Sequence, residues 1–494
     1  MLKGQDSSFV HNQKRPALLL GDYGAQPWDR GRPIKESLAA GLRPVLAKLS
    51  SDTSERMLAK VHRGGAEDSE GRPLTHATEI LPDEAAAITD GLLARLRQRY
   101  GEDWSVLPLN DYVTEYAAII SSHLSNPCYP PRSAQIVKRK HELRQMWNEM
   151  AGEPGSRLRA VEYCYAELRG DASEFDFQPS PGFGSLPEET SLIVKPDELS
   201  GSIEVKHAVS KREAVALARL VCDQLLSKWY AIGRSIGTEV RPRVVIEEEI
   251  ERSEALHPGA EFSVEFVSHQ GEHYPVGITQ KWIGGNFIEA GHVFPAESFP
   301  ARLRSALEEA IHRLLERLGA RYCVSHWEFI ITPDERIALV EGHLRSAGDR
   351  IMELVEQGVG RSPTGALCEA LGRGRADFSF KPQGSCGVFW MVPERSLEKV
   401  VEVKVERAEI EGLYKDLYIN EEGIKASDGW VEASDWMTRF AHVMATGESL
   451  EEIMSRCREV ARRVTLVGSR GGRPASTPLR LVIDSARSVS TSSV

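Results

Sequence analysis

The sequence predicts a multidomain chain of mixed α/β and α+β class, and three observations carry that reading. Strand-like apolar runs alternate with helical patterns across residues 16–125, which implies an α/β unit. Residues 259–267 alternate polar and apolar side chains, and two β-branched runs flank a Pro/Asp turn near residue 334, both marks of antiparallel strands. Beyond residue 361 short strand-like segments surround one long helix at 448–463, which implies an α+β lobe. A length of 494 residues leaves room for two to four domains, each with its own core. The net charge of −11 argues against a nucleic-acid binder, which carries a basic face. Seven cysteines lie scattered without a CxxC pair, the pattern of reduced thiols in a cytoplasm. No apolar run approaches ~18 residues and the N-terminus lacks a signal-like apolar region, so no membrane partner is expected.

Taken in order, residues 1–15 are polar and expected to be loose. Ala17, Leu18, Leu19 and Leu20 read as a buried strand running into a turn at 21–24. Residues 34–49 follow a helical pattern interrupted by Pro44, and the charged, glycine-containing stretch 50–75 reads as loop. Thr78, Glu79, Ile80 and Leu81 read as a strand, with Asp83 capping the helix that follows. Residues 106–109 form another strand, ahead of a helix over 112–124. The glycines of this unit do not make GxGxxG, so a dinucleotide site is not indicated. A proline-rich boundary at 126–131 precedes a helix over 133–150 that carries Lys138, Arg139, Lys140, His141 and Arg144. Residues 171–190, rich in Gly, Pro and Ser, read as a linker.

The chemistry-bearing residues come next. Lys195 ends a strand and faces a short turn at Ser200, Gly201 and Ser202, where an ammonium and turn amides together suit phosphate oxygens. A helix from 211 to about 233 leads to a strand at 243–246 that runs into Glu247, Glu248, Glu249 and Ile250. Glu261 and Glu265 share one face of a half-buried strand. Lys281, Glu289 and His292 lie close together in sequence, ahead of a helix over 305–318. The hairpin within residues 326–349 then places Glu328 before its first strand and Glu341 after its second, so strand pairing brings the two carboxylates together. Arg345 follows four residues later. Two hard oxygen ligands beside a cation suit magnesium and a triphosphate. Each feature has a plain structural alternative: a charged surface hairpin, an ordinary strand end, a core histidine. No one of them alone decides the function.

Their order across the chain resembles the ATP-grasp superfamily, with motifs over residues 126–360. Within it the HxE at His326 and Glu328, the ExxHxxPA beginning at Glu289, and the Arg-Ser-Ala-Gly-Asp run beginning at Arg345 resemble the L-amino-acid ligase branch of carboxylate–amine ligases. The resemblance implies an ATP-grasp fold: an N-terminal α/β domain at 1–125, a lid-containing subdomain at 126–246, a metal and nucleotide subdomain at 247–360, a C-terminal α+β lobe at 361–468 and a disordered tail at 469–494. It implies that Lys140 and Lys195 contact ATP phosphates, that Ser200, Gly201 and Ser202 cover them, and that the backbone of Glu247, Glu248, Glu249 and Ile250 reads the adenine edge. Glu261 would hold the ribose. Glu328 and Glu341 would bind one or two Mg²⁺ ions, with Mn²⁺ an alternative. Arg345 would stabilise the transferring phosphoryl group, and Glu289 and His292 would face the acyl and amine substrates.

The implied activity is ATP-dependent amide formation through an acylphosphate, joining an amino acid or small acid to an amine, in the cytoplasm, with a homodimer as one assembly. Two departures stand out: His343 occupies a position where the family carries asparagine, and Glu204 one where its phosphate loop carries glycine. His343, a poor ligand for Mg²⁺, is then expected to bond a phosphate, or the second ion to be held differently, and Glu204 to point away or to order the loop through a cation. The alternatives are another ATP-grasp enzyme, of phosphotransferase or carboxylase type, and a nucleotide-binding regulatory protein without turnover.

Overall fold

The computed structural model describes residues 15–20, 32–49, 77–81, 85–169, 174–229, 241–256, 260–284, 287–427 and 439–486. The turn expected at 21–24, the loop at 50–75, the Asp83 cap and the chain before residue 15 lie outside them.

The wholly buried run β1 (Pro16–Leu20) sits inside a four-stranded sheet with β2 (Arg43–Leu49), β3 (Ala77–Leu81) and β4 (Ser105–Pro108), in the order β3-β2-β1-β4. All three pairings are parallel, as expected for strands apolar on both faces. β2 corrects the helix expected over 34–49. The helix Arg32–Ala39 stops where Gly41 takes a φ of 80°, and Pro44, unable to continue a helix, lies in the strand just before pairing with β3 begins at Val45. The single helix expected over 133–150 is two, Pro131–Lys138 and Lys140–Ala151, broken at Arg139, whose backbone is extended. Leu143 and Trp147 of the second share one core with Leu18 of β1 and with Trp327 and Leu339 farther along, so the boundary expected at 125/126 is no break in packing.

A second sheet joins β5 (Tyr163–Arg169), β6 (Glu174–Pro179), β7 (Leu192–Pro196), β8 (Lys206–Ala208) and β9 (Arg243–Glu248) in the order β6-β5-β9-β7-β8. Two expectations fail here. The linker at 171–190 contains β6, and the boundary at 246/247 falls inside β9. The helix Lys211–Gln224, capped by Ser210, packs Ala214, Ala218 and Val221 against this sheet.

The largest sheet carries the hairpin. Its strands are β10 (Glu261–His269), β11 (Glu272–Ile283), β12 (Glu289–Phe294), β13 (Tyr322–Ile331), β14 (Ile337–His343), β15 (Ser385–Pro393), β16 (Lys399–Val405), β17 (Asp416–Ile419), β18 (Ala441–Gly447), β19 (Val464–Arg470) and β20 (Arg473–Leu481). The order is β14-β13-β10-β11-β12-β15-β20-β19-β16, with β18 also on β15 and β17 on β18. On one face Phe262, Val264, Phe266, Ile278, Trp327 and Phe329 pack into the core under the helix Ala301–Arg317. Gly342 lies opposite Trp327, where any Cβ would come 2.3 Å from the indole, so only glycine lets β14 close on β13. Glu261, Ser263 and Glu265 occupy the other face of β10 and are buried as well, which corrects the half-buried reading.

The C-terminal region continues this sheet, since β15 pairs with β12 directly across the expected cut at 360/361. The disordered tail expected from 469 is also wrong as far as Ala486. β19 and β20 form a hairpin, β20 pairs with β15, and Leu479 and Leu481 are fully buried beneath an Arg-, Ser- and Thr-rich outer face. Composition misled because alternate positions of β20 face solvent; residues 487–494 lie outside the described chain. Leu479→Ala is expected to destabilise the C-terminal lobe by about 3 kcal/mol in urea unfolding. An unchanged unfolding curve would mean that β20 adds nothing to the core.

Candidate active site

The period of two that buries one face of the large sheet gathers polar residues on the other. In register across β14, β13 and β10, Glu341 stands opposite Glu328 and His343 opposite His326; Glu328 faces Ser263, and His326 faces Glu265. One strand further, Lys281 of β11 lies opposite Glu261 on one side and His292 on the other. The expected carboxylate pair is therefore assembled by cross-strand pairing.

Like charges this close need compensation. Lys281, 1% exposed, makes a close ion pair with Glu328 and lies 2.9 Å from Glu289 and 3.7 Å from Glu261. Burial works against its charge, but the three carboxylates outweigh it and hold the ammonium well above its ordinary range. Glu261 also lies 3.6 Å from Arg252. His326 bridges Glu265 at 2.8 Å and Glu328 at 2.9 Å; burial again opposes charge, and the two acids push the imidazole up to about 9. The HxE motif is thus a histidine clamp on its own carboxylate.

At the Glu341 end, Lys140 comes within 3.7 Å of that carboxylate and donates to the Leu199 carbonyl. His343 reaches Glu341 through Nε2 at 3.1 Å and Asp111 through Nδ1 at 2.7 Å. Burial and Arg345 disfavour the charged ring, yet Asp111 and Glu341 raise its pKa. Arg345 binds Asp111 side-on, at 2.9 and 2.7 Å. Asp111, at the carboxyl end of β4, was missed by sequence reasoning. The available signal was its position, because parallel α/β sheets present functional groups beyond the carboxyl ends of their strands. Ser200 donates to Asp111 at 2.9 Å and Ser202 to the Phe287 carbonyl at 2.7 Å, while Gly201, Ser202 and Glu204 all have positive φ. Glu204 pairs with Lys206 at 3.2 Å, in line with its expected ordering of the loop through a cation.

Lys195 is held by Glu247 at 2.6 Å, and Glu247 also accepts from Arg144 at 2.9 Å. Burial opposes ionisation of Glu247, but the two cations hold its pKa down at about 2. Arg144 further donates to the Leu339 carbonyl, fastening β9 and β7 to β14. The Glu247 side chain is therefore an internal counterion. The amides of Glu248 and Glu249 are taken by the Glu162 and Ser191 carbonyls, and their side chains by Arg159 at 3.0 Å and by Ser191 at 2.6 Å. Ile250, the last of the expected adenine-reading residues, follows half-buried at the end of β9.

Glu289 and His292 lie at the other end of the polar face. Glu289 accepts from Arg439 at 3.2 Å, and Arg439 also binds Asp349 and covers the Trp390 ring at 4.5 Å. Burial, reinforced by Glu289 against the opposing Arg439, pushes Asp349 up to about 8. His292 is fully buried, 4.0 Å from Glu289, with neither ring nitrogen hydrogen-bonded, and burial holds it down at about 3 as a neutral imidazole. Glu289, His292 and Asp349 bring ligand atoms within 4.8 Å of one another, a spacing that could hold a metal, but Lys281 and Arg439 already neutralise the carboxylates.

Because Glu247 is ionised in the fold far below its ordinary 4.5, its stabilisation is complete above about pH 4.5 and lost as pH falls toward 2. Glu247→Gln, which leaves Lys195 and Arg144 uncompensated, should cost about 3 kcal/mol at neutral pH. It should also flatten the stability profile within that acid window, as measured by denaturant unfolding at several pH values; an acid limb identical to that of the wild type would refute the role.

Residues 188–353 match the ATP-grasp domain family. No curated protein matches the chain. Among solved structures, the chain is similar to an L-amino acid ligase from Bacillus licheniformis, at 16% identity and a TM-score of 0.64 over 93% of this chain and 100% of that one. It is similar to the biotin carboxylase domain of Hydrogenobacter thermophilus 2-oxoglutarate carboxylase, a complex with MgADP, at 11% identity and a TM-score of 0.60 over 96% and 94%. A phosphoribosylglycinamide synthetase from Anaerococcus prevotii follows at 13% identity and 0.58, over 92% and 100%. At these identities the likeness is one of fold. No helix among the described residues is long and apolar enough to cross a membrane, and the seven cysteines are all free and buried. The chain carries an ATP-grasp domain at residues 188–353, set within an ATP-grasp fold.

Proposed function

We propose that the protein is an ATP-dependent carboxylate–amine ligase that activates an amino acid or small acid as its acylphosphate and transfers it to an amine. The observation that carries this reading is the single polar face on which Glu328 stands opposite Glu341, with Lys140 within 3.7 Å of Glu341 and Glu289 joined to Glu328 through Lys281. The residues suit Mg-ATP: two opposed carboxylates offer hard oxygen ligands, and Lys140 and Lys195 offer charge for phosphate oxygens. When bound, Mg-ATP supplies the phosphoryl group that turns a poor carboxylate electrophile into one with a good leaving group.

The chain's own residues do the rest. Lys281 and His326 fix the position and charge of Glu328, so a ligand to this carboxylate meets a group already oriented. Glu247 and Arg144 hold Lys195 in place between the β7 sheet and β14. Arg345 carries a fixed positive charge beside Glu341 and neutralises charge building up on the transferring group. Glu289, compensated by Lys281 and Arg439, and the neutral imidazole of His292 are assigned to the end of the face that meets the acyl and amine substrates. The turn at Ser200, Gly201 and Ser202 closes over the phosphates and keeps water from the acylphosphate.

The test is phosphate release from Mg-ATP across a panel of acids and amines, with products weighed by mass spectrometry. Release that requires both partners and yields an amide supports the ligase. Release with bicarbonate alone would point to the carboxylase-type alternative, and nucleotide binding without release to a regulatory protein. In the active pairing, Glu341→Ala is expected to abolish turnover with the fold intact. Arg345→Ala should lower kcat about 100-fold with little change in nucleotide affinity; equal losses in both would remove its charge-stabilising role.

A further inference from the structure

The N-terminal sheet contributes one side chain to the polar face, and its bonding is unusual. All four acceptor positions of the Asp111 carboxylate are engaged: Oδ1 by His343 Nδ1 at 2.7 Å and Arg345 Nε at 2.9 Å, Oδ2 by Arg345 Nη2 at 2.7 Å and Ser200 Oγ at 2.9 Å. A carboxylate so saturated has no capacity left for a metal or a proton. Its partners are the arginine beside the metal carboxylates, the histidine that bonds Glu341, and the first residue of the phosphate turn.

Arg345 has five N–H donors in a planar fork. Asp111 takes two of them side-on, and Nη1 donates to the Ser346 carbonyl at 2.8 Å. One hydrogen remains on each terminal nitrogen, available to an oxygen of phosphate or carboxylate. The local chain makes Asp111 rigid. It opens a short 3₁₀ turn at the end of β4, where the Asn110 side chain accepts the Tyr112 amide at 3.0 Å. The Tyr129 hydroxyl, 3.2 Å from the Leu344 carbonyl and 3.4 Å from that of Thr114, ties this turn to the segment bearing Arg345.

We propose that Asp111 is a positioning residue for phosphoryl transfer: it holds Arg345 side-on so that the free end of the guanidinium meets the transferring group, and through Ser200 it couples that orientation to the phosphate turn. The assignment rests on the phosphoryl-transfer part of the ligase reading. It places a residue of the N-terminal sheet in the reaction's geometry without contact to the reacting atoms.

The test uses the full-length protein and two probes, Mg-ADP and Mg-ADP with aluminium fluoride as a mimic of the transferring phosphoryl group. Asp111→Asn is expected to bind Mg-ADP within about 2-fold of wild type, which also certifies its fold, and to bind the fluoride complex about 30-fold more weakly. In turnover kcat should fall to a similar extent with KM for ATP little changed, and Asp111→Glu, which restores the charge, should recover part of the loss. If Asp111→Asn folds poorly, Arg345→Lys asks the same question from the other side: it keeps the charge but cannot be held side-on, and should lose the fluoride complex selectively. Equal losses for both probes, or no loss for either, overturn the assignment. A wild type that binds both probes but forms no amide with any acid–amine pair would remove the ligase reading, while the fluoride comparison would still decide the role of Asp111.

Discussion

The polar face depends on one buried cation. Lys281 sits on β11 within ion-pair distance of carboxylates from β10, β12 and β13, so a single ammonium compensates acids drawn from three strands of the sheet. Without it, Glu261, Glu289 and Glu328 would be like charges in a poorly solvated layer, and protonation would be favoured. With it, Glu289 and Glu328 are held below the ordinary carboxylate range, while burial and the neighbouring acids still raise Glu261. A buried ion pair is weak evidence for stability, because desolvation offsets much of the attraction. Its value here is positional: the lysine fixes where the carboxylates stand.

A second ionic node does for the smaller sheet what Lys281 does for the larger. Glu247 binds Lys195 and Arg144 together, and Arg144 reaches the Leu339 carbonyl of β14. The lysine expected to meet phosphate is thereby located relative to the carboxylates expected to meet the metal, although the two lie in different sheets. Asp111 adds a third node from the N-terminal sheet. Lys281 compensates acids within its own sheet, Glu247 ties Lys195 to Arg144 of the helix Lys140–Ala151, and Asp111 joins the N-terminal sheet to β14 and the segment after it. Site geometry in this fold is set by paired charge between sheets as much as by any backbone element.

What the sequence made legible follows from locality and period. The hairpin, with Glu328 and Glu341 as cross-strand neighbours, could be read because a turn signal between two β-branched runs fixes pairing nearby in the chain. Glu261, Ser263 and Glu265 could be placed on one face because strands alternate. The partners of these residues could not be read, because they come from distant segments: Asp111 lies over two hundred residues before Arg345, and Arg439 lies ninety after Asp349. Alternation also shows that a polar face exists without showing whether water or protein covers it, which is why β10 read as half-buried. β2 and β20 failed for a related reason. Leu, Ala and Lys in β2 favour helix locally, and the polar outer face of β20 resembles a disordered tail, yet in both the sheet overrides local preference.

Two histidines on the same face show how far environment alone divides labour. His326 stands between Glu265 and Glu328, and their charges overcome burial, so it is a cation at neutral pH. His292 is equally buried, but its nearest carboxylate is 4.0 Å away and already bound to Lys281 and Arg439, so burial prevails and the ring is neutral. The Glu328–Glu341 end of the face therefore carries fixed charges with fixed partners. The Glu289 end keeps an imidazole with both nitrogens unengaged. Under the ligase reading that asymmetry is functional. Phosphoryl transfer needs charge that does not move, and the paired end of the face supplies it.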